Sequence, residues 1–210
     1  SIQEAIDAVV GSTVNVAAGT YDENLSIDKS VTILGPNDEL SPNTDTRVAE
    51  AVLMPSAGGG AAITGVASNI DVLIKGLTVD MANATTGERY VDQTNQPGTS
   101  WTFEHNIFQN AFFSSSGNWL MNGANNTGLV FTLTDNLFTG AEVSNGLSIW
   151  GLDSFNIDVQ ENVWVDNGYT AFNLHGAQGV IKNNIFRDTR EIDVNDPEYY
   201  FGDYQAGMIL

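Results

Sequence analysis

QENVW, residues 160–164, sets an asparagine between a carboxylate and two large apolar residues. Three further segments repeat the arrangement: HNIF at 105–108, DNLF at 135–138 and NNIF at 183–186. Aligned on the amide, Asn106, Asn136, Asn162 and Asn184 are each followed by a branched aliphatic residue and then an aromatic, at intervals of 30, 26 and 22 residues. Gly76-Leu77-Thr78 stands one such interval upstream of Asn106 and fits the same slot, with glycine in place of asparagine. A fixed short core at a variable interval is how a solenoid looks when its loops differ in length. Asparagine and glycine both tolerate positive φ, so the slot is expected to be a sharp bend between two strands. Amides of stacked coils are then expected to hydrogen-bond along the axis, an architectural role.

Outward from these bends, apolar residues run in groups of three to five bounded by Gly, Asn and Asp, a strand signature. Leu147–Trp150 predicts one strand, 151–154 a turn, Phe155–Val159 a second strand, and Val163–Val165 a third beyond the Asn162 bend. The next coil predicts a strand at Thr170–Leu174, a turn at 175–179, and strands at Val180–Lys182 and Ile185–Arg187. Three short parallel strands per coil make a parallel β-helix. Upstream, Ser1 and Glu4 have capping-box spacing, and Ile2, Ala5, Ile6 and Val9 share one helical face that can close the first coil. Residues 36–50, 80–100 and 188–204 read as polar excursion loops, where binding specificity commonly resides.

The stretch SIQEAIDAVVGSTVNVAAGTYDENLSIDKSVTILGPN, with its IQ-AI helix and its V-AGTY-EN strand and turn, resembles the opening coil of the right-handed parallel β-helix superfamily typified by pectate lyases and pectin methylesterases. That resemblance covers nearly the whole chain. It implies an all-β, right-handed single-stranded parallel β-helix with a short N-terminal capping helix, and residues 1–210 are expected to form a single domain. Its motifs report architecture, and activity has to be sought in individual residues.

With 26 acidic against 7 basic residues and a formal net charge of -19, the surface repels nucleic acid and anionic lipid. No apolar run approaches the roughly 18–20 residues of a membrane span. There is no cysteine, which excludes a disulfide framework and thiolate metal sites. The chain opens at Ser1 without a signal-peptide pattern. It finishes on an apolar strand, 205–210, expected either to continue into further sequence or to serve as an end-to-end assembly edge.

Catalytic patterns of the resembled superfamily are missing. The aspartate and LGRPW motifs of pectin methylesterases do not occur, and Asn156-Ile157-Asp158 lacks the paired aspartates and R-x-K that polygalacturonase-like enzymes place beside N-x-D. For a lyase, which needs a base and cations around an enolate, the weak candidates are His175, Lys182 and Arg187, the last two forming one basic spot with Arg190. Lys29 and Lys75 fall beside the bends, away from the expected groove. His105, directly before Asn106, reads as an exposed turn residue.

Period-2 alternation turns Trp150 outward if Leu147 and Ile149 face the core, and Trp119, Asn173 and His175 take matching places in neighbouring coils. Tryptophan faces beside amides and imidazoles suit sugar rings, so these four residues are the expected glycan-binding set. Asp166 and Asp188 stand one minimal coil apart, and with Asn167 they offer the oxygen ligands that Ca²⁺ prefers. The expected function is a structural or glycan-binding module at the cell surface or outside the cell, with a polysaccharide or cell-surface glycan as partner. The alternatives are a lyase or other carbohydrate-active enzyme acting on acidic polysaccharide, and a self-assembling surface-layer or fibre subunit.

Overall fold

The computed structural model describes residues 1–58, 60–83, 89–93, 95–111, 119–122, 127–140, 145–166, 172–187 and 208–209, the segments 119–122, 145–155, 172–177 and 208–209 by backbone only. Helix α1 (Ile2–Ala8) opens the chain. The Ser1 hydroxyl accepts from the Glu4 amide at 3.0 Å in a complete capping box, as the S-x-x-E spacing predicts. Ile2 and Ile6 are buried, with Ala5 and Val9 packed beside them. Lys29 Nζ donates to the carbonyls of Asp7 and Val9 and secures the far end of the helix.

From there the chain winds through coils of three strands. The first holds β1 (Thr13–Asn15), β2 (Gly19–Tyr21) and β3 (Leu25–Ile27), and the second β4 (Val31–Leu34), β5 (Ala51–Leu53) and β6 (Ala61–Gly65). The third and fourth hold β7 (Asp71–Lys75), β8 (Thr78–Asp80), β9 (Arg89–Asp92), β10 (Ser100–Glu104), β11 (Ile107–Gln109) and β12 (Trp119–Asn122). After β13 (Val130–Thr134) and β14 (Leu137–Thr139) come the long β15 (Asn145–Gln160), β16 (Val163–Val165), the long β17 (Phe172–Lys182), β18 (Ile185–Arg187) and β19 (Met208–Ile209). Strands from successive coils pair in parallel, giving a right-handed β-helix with three faces. The first face begins with β1, the second with β2 and the third with β3.

Two sequence expectations change here. The turn expected at 151–154 is instead a register shift between Trp150 and Phe155 inside one 16-residue strand, and β17 likewise runs through 175–179. Each long strand pairs on the third face with its first half and on the first face with its second, fusing the two faces into a 12-stranded sheet beside the seven-stranded second face. Within the stretch expected as a loop at 80–100, β9 is a true strand with Tyr90 and Val91 fully buried. Its Gly, Thr and Pro-rich flanks hide two core residues that only the neighbouring strands reveal. Residues 188–204 lie outside the described residues except as the loop expectation stated above.

The core is one continuous column. Strands such as β4, β7, β10 and β13 alternate buried and half-buried positions, as half-buried sheet faces require. Inside the second face the aromatics after each bend stack coil on coil: Phe108 on Phe138 at 4.9 Å, Phe138 on Trp164 at 4.6 Å and Trp164 on Phe186 at 5.2 Å between ring centroids.

The asparagine column stands beside this stack and hydrogen-bonds along the axis as expected, but the amide is not the residue at positive φ. Positive φ belongs to the residue before each amide: His105 (54°), Asp135 (50°), Glu161 (62°) and Asn183 (56°). Because Lys75 pairs with Glu104, Gly76 (67°) stands beside His105, and Leu77 takes the amide slot. The Leu77 amide donates to Asn106 Oδ1 at 3.0 Å. Glycine 76 therefore aligns one residue away from where the sequence comparison put it.

The amides themselves replace a sheet where none can continue. Asn106, Asn136 and Asn162 are fully buried. Asn136 Oδ1 accepts from the amide of Asn106 at 3.0 Å and from its Nδ2 at 3.1 Å, while Asn136 Nδ2 donates to the Phe103 carbonyl at 2.9 Å and to Asn162 Oδ1 at 2.9 Å. Asn162 repeats the pattern with Leu133 and Asn184. At a corner the strand ladder stops, and each side chain satisfies backbone groups that would otherwise be buried unpaired.

Candidate functional site

On the third face the backbone register forms two parallel rows. Leu25, Ile63, Val91, Met121, Leu147 and Phe172 pair in sequence through six strands, and one residue further on so do Ser26, Thr64, Asp92, Asn122, Ser148 and Asn173. Leu25, Ile63 and Val91 are buried, whereas Ser26 is exposed and Thr64 and Asp92 are half-buried, so the polar row is the outward one where side chains are described. Neighbours in it lie about 4.8 Å apart, the strand spacing. Arg89 Nη1 meets Asp92 Oδ2 at 2.7 Å beside the row.

The expected glycan-binding residues fall in this neighbourhood. Asn173 is the register partner of Ser148, and His175 that of Trp150. Trp119 pairs with Asn145 and so sits on the adjoining strand, five residues away in register from Trp150. Of the weak catalytic candidates, Lys182 ends β17 on the first face and Arg187 ends β18 on the second, both exposed. They flank the Asn184 corner rather than the third face. Arg190 lies outside the described residues. Asp166 is exposed, with φ 55°, directly after β16. Its expected companions Asn167 and Asp188 lie outside the described residues, and among the described residues no group of three or more His, Asp or Glu is arranged to hold a metal ion. Met208 and Ile209 pair with Phe172 and Asn173 on the third face, and the rest of 205–210 lies outside the described residues.

A second cluster was not legible as a site. Residues 36–50, expected as a free polar loop, form a strap lying back over the corner between the first and second faces. Asn37 and Val48 close its base, the Asn37 side chain accepting from the Val48 amide at 2.8 Å and donating to its carbonyl at 3.2 Å. Arg47 grips Glu50 through Nε at 2.7 Å and Nη2 at 3.0 Å and donates from Nη1 to the His105 carbonyl at 2.8 Å. Glu50 in turn accepts from the Thr78 hydroxyl at 3.0 Å.

The tip of the strap meets the fourth and fifth coils. His105 Nδ1 lies 2.6 Å from the Asp38 carbonyl and Nε2 lies 3.5 Å from Asp135 Oδ2. Asp135 Oδ1 accepts from the Ser41 hydroxyl at 3.0 Å and from Asn43 Nδ2 at 2.8 Å. His105 is thus half-buried and engaged at both ring nitrogens, in contrast to the exposed turn residue expected of it. A serine, a histidine and an aspartate meet here, but the hydroxyl donates to the carboxylate and not to the imidazole. No base activates it, so the set is a fastening and not a nucleophile. The readable signal was the column His105, Asp135, Glu161, Asn183, polar in every coil directly before the amide.

Arg47, Lys75 and Arg89 are paired with carboxylates. Lys75 Nζ lies 3.0 Å from Glu104 and 3.3 Å from Glu39; burial pulls its pKa down, but the bonds and charges of Glu104 and Glu39 outweigh that and leave it above the ordinary lysine value. Burial, with a contribution from the Asp80 charge, holds the Tyr90 phenol well above the ordinary tyrosine range. Tyr90 is therefore a neutral phenol and no base. Comparison with protein families, with curated proteins and with solved structures returns no match to this chain.

Proposed function

We propose that this β-helix is a non-catalytic module, outside the cell or on its surface, that holds a neutral glycan against its third face. The observation that carries the reading is the register row of polar positions from Ser26 to Asn173, outward at Ser26, Thr64 and Asp92 where side chains are described, with Trp150 and His175 as register partners at its edge. Hydroxyls and amides at strand spacing suit sugar hydroxyls, and an aromatic beside them suits a sugar C–H face. The net charge of -19 favours uncharged sugars over polyuronates, since Arg89, Arg47 and Lys75 are already paired with carboxylates. The resemblance to pectate-lyase-like β-helices supports a carbohydrate partner.

The test is retention on a glycan array, with and without Ca²⁺, followed by product analysis of every hit. Neutral glycans should be retained, and Trp150→Ala should weaken retention roughly tenfold. Unsaturated, ultraviolet-absorbing products from an acidic polysaccharide would replace this reading with a lyase. Retention that needs Ca²⁺ would bring Asp166, Asn167 and Asp188 into the site. No retention by any glycan would end the proposal.

A further inference from the structure

We infer that the second face is a docking site for an amphipathic α-helix of a partner protein, one with an aliphatic stripe and basic margins. The aromatic two residues after each corner amide points inward, so strand alternation turns the branched aliphatic residue before it outward. In register, Val52, Thr78, Ile107, Leu137, Val163 and Ile185 form one outward row. Val52, Ile107 and Leu137 are half-buried, Ile185 is 49% exposed, and Val163 is buried without belonging to the core cluster. The second outward row runs from Asp80 through Gln109, Thr139 and Val165 to Arg187. Asp80 is buried and accepts from Gln109 Nε2 at 2.8 Å and Asn110 Nδ2 at 2.9 Å. Between Asp80 and Arg187 neither row holds a charge, on a molecule whose net charge is -19. The first face, by contrast, sets Lys75, Glu104, Asp158 and Lys182 outward.

Both margins of this apolar face are acidic. Along its corner with the first face stands the strap, which carries Asp38, Glu39, Asp45 and Glu50 against the single Arg47. Glu50 accepts from the Thr78 hydroxyl within the row, and Asn43 reaches the Asn136 carbonyl directly before Leu137. Past the strap tip, Glu161 is exposed just before the Asn162 corner, and Asp166 is exposed at the opposite end of β16. Dimensions and charge choose the occupant. Three-residue strands make the face roughly 10 Å wide, and the six strands from β5 to β18 make it roughly 24 Å long. That footprint is far below the roughly 800 Å² per partner of a stable dimer, and a second copy would set its own acidic margins against these. A single helix is about 10 Å wide and covers the length in about 16 residues. Its backbone is satisfied internally, which suits a sheet face whose own backbone groups are already used in the ladder. Lysines or arginines beside its aliphatic stripe would meet the strap, Glu161 and Asp166.

The probe is a synthetic peptide of roughly 18 residues, Leu and Lys at helical spacing, read on the whole chain by fluorescence anisotropy at physiological ionic strength and by amide shift mapping. It should bind about tenfold more tightly than a scrambled peptide of equal composition and shift the amides of β11, β14 and β16. Leu137→Lys should weaken binding roughly tenfold, while Thr102→Lys on the first face, an equal change in net charge, should leave it within about twofold. Should Leu137→Lys fail to fold, Glu161→Gln combined with Asp166→Asn, both at exposed positions, should weaken binding about threefold with unaltered circular dichroism. Equal binding of the scrambled peptide, an equal loss in Thr102→Lys, or unchanged affinity in the folded variants would overturn the docking site. So would dimerisation that Leu137→Lys abolishes, or displacement of the peptide by phosphatidylcholine vesicles.

Discussion

At the third coil the corner between the first and second faces is Gly76-Leu77, whereas in the coils that follow it is a polar residue and then asparagine. Both versions hold the first residue at positive φ and bury the second, fully at Leu77, Asn106, Asn136 and Asn162 and half at Asn184. They differ in what lies over them. A Cβ at Gly76 would stand 2.2 Å from the Asp38 nitrogen, so the strap crosses there with no room for a side chain. At His105 and Asp135 the side chains are what the strap tip holds, and at Glu161 the side chain is exposed. Glycine here reports a close crossing of backbone as much as a dihedral angle. The amide slot likewise has two solutions, an asparagine that satisfies three neighbours, or Leu77, which lends only its backbone to the column and fills the core.

The comparison can be broken most directly at the amide. Asn136→Ala removes its contacts to Asn106, Phe103 and Asn162 and leaves buried backbone groups unpaired, so we expect a loss of roughly 3–5 kcal/mol in chemical denaturation. A loss below about 1 kcal/mol would show that the column is ornamental to stability. Gly76→Ala forces both the dihedral and the strap crossing; a cost of about 2–3 kcal/mol is expected, together with faster proteolysis within 38–45. If the cost appears without any change at the strap, the dihedral alone sets the residue.

The opposite exchange sharpens the contrast. Glu161→Gly relieves a side chain at φ 62° in an exposed position, and the gain from relief should slightly exceed the extra chain entropy of glycine, by about 0.5 kcal/mol at most. A clear destabilisation would mean that the carboxylate has a partner role in the corner. Smallest is the ion pair between Lys75 and Glu104. The raised pKa of Lys75 places its contribution fully below the ordinary lysine value, to be lost only as pH rises through the higher folded value. Glu104→Gln should therefore cost a few tenths of a kcal/mol at neutral pH and nothing in strongly alkaline buffer, read from melting curves at the two conditions.

Much of the architecture was legible because it is periodic. The amide intervals, the aromatic two residues later and the capping box are each local or repeating, and each stands in the structure where the repeat predicts. Beneath that regularity, Gly76 was aligned one residue out, because asparagine and glycine share a tolerance that in this corner belongs to the neighbouring position. Tyr90 and Val91 were lost among turn-forming residues, since two buried positions are too few to show a period. As for the candidate site, the matching places of Trp150 and His175 could be proposed from alternation and do pair in register, but Trp119 falls beside Asn145 and not beside Trp150.

Sequence by itself determined the solenoid, its helical cap and its acidic, cysteine-free character, since these follow from spacing and composition along the chain. Only the tertiary structure decided that residues 36–50 lie back on the corner, that His105 and Asp135 meet there, and that polar positions from six coils fall into one row. Those pairings join residues as much as 94 positions apart through contacts that leave no period in the chain, so they exist only once the coils are stacked.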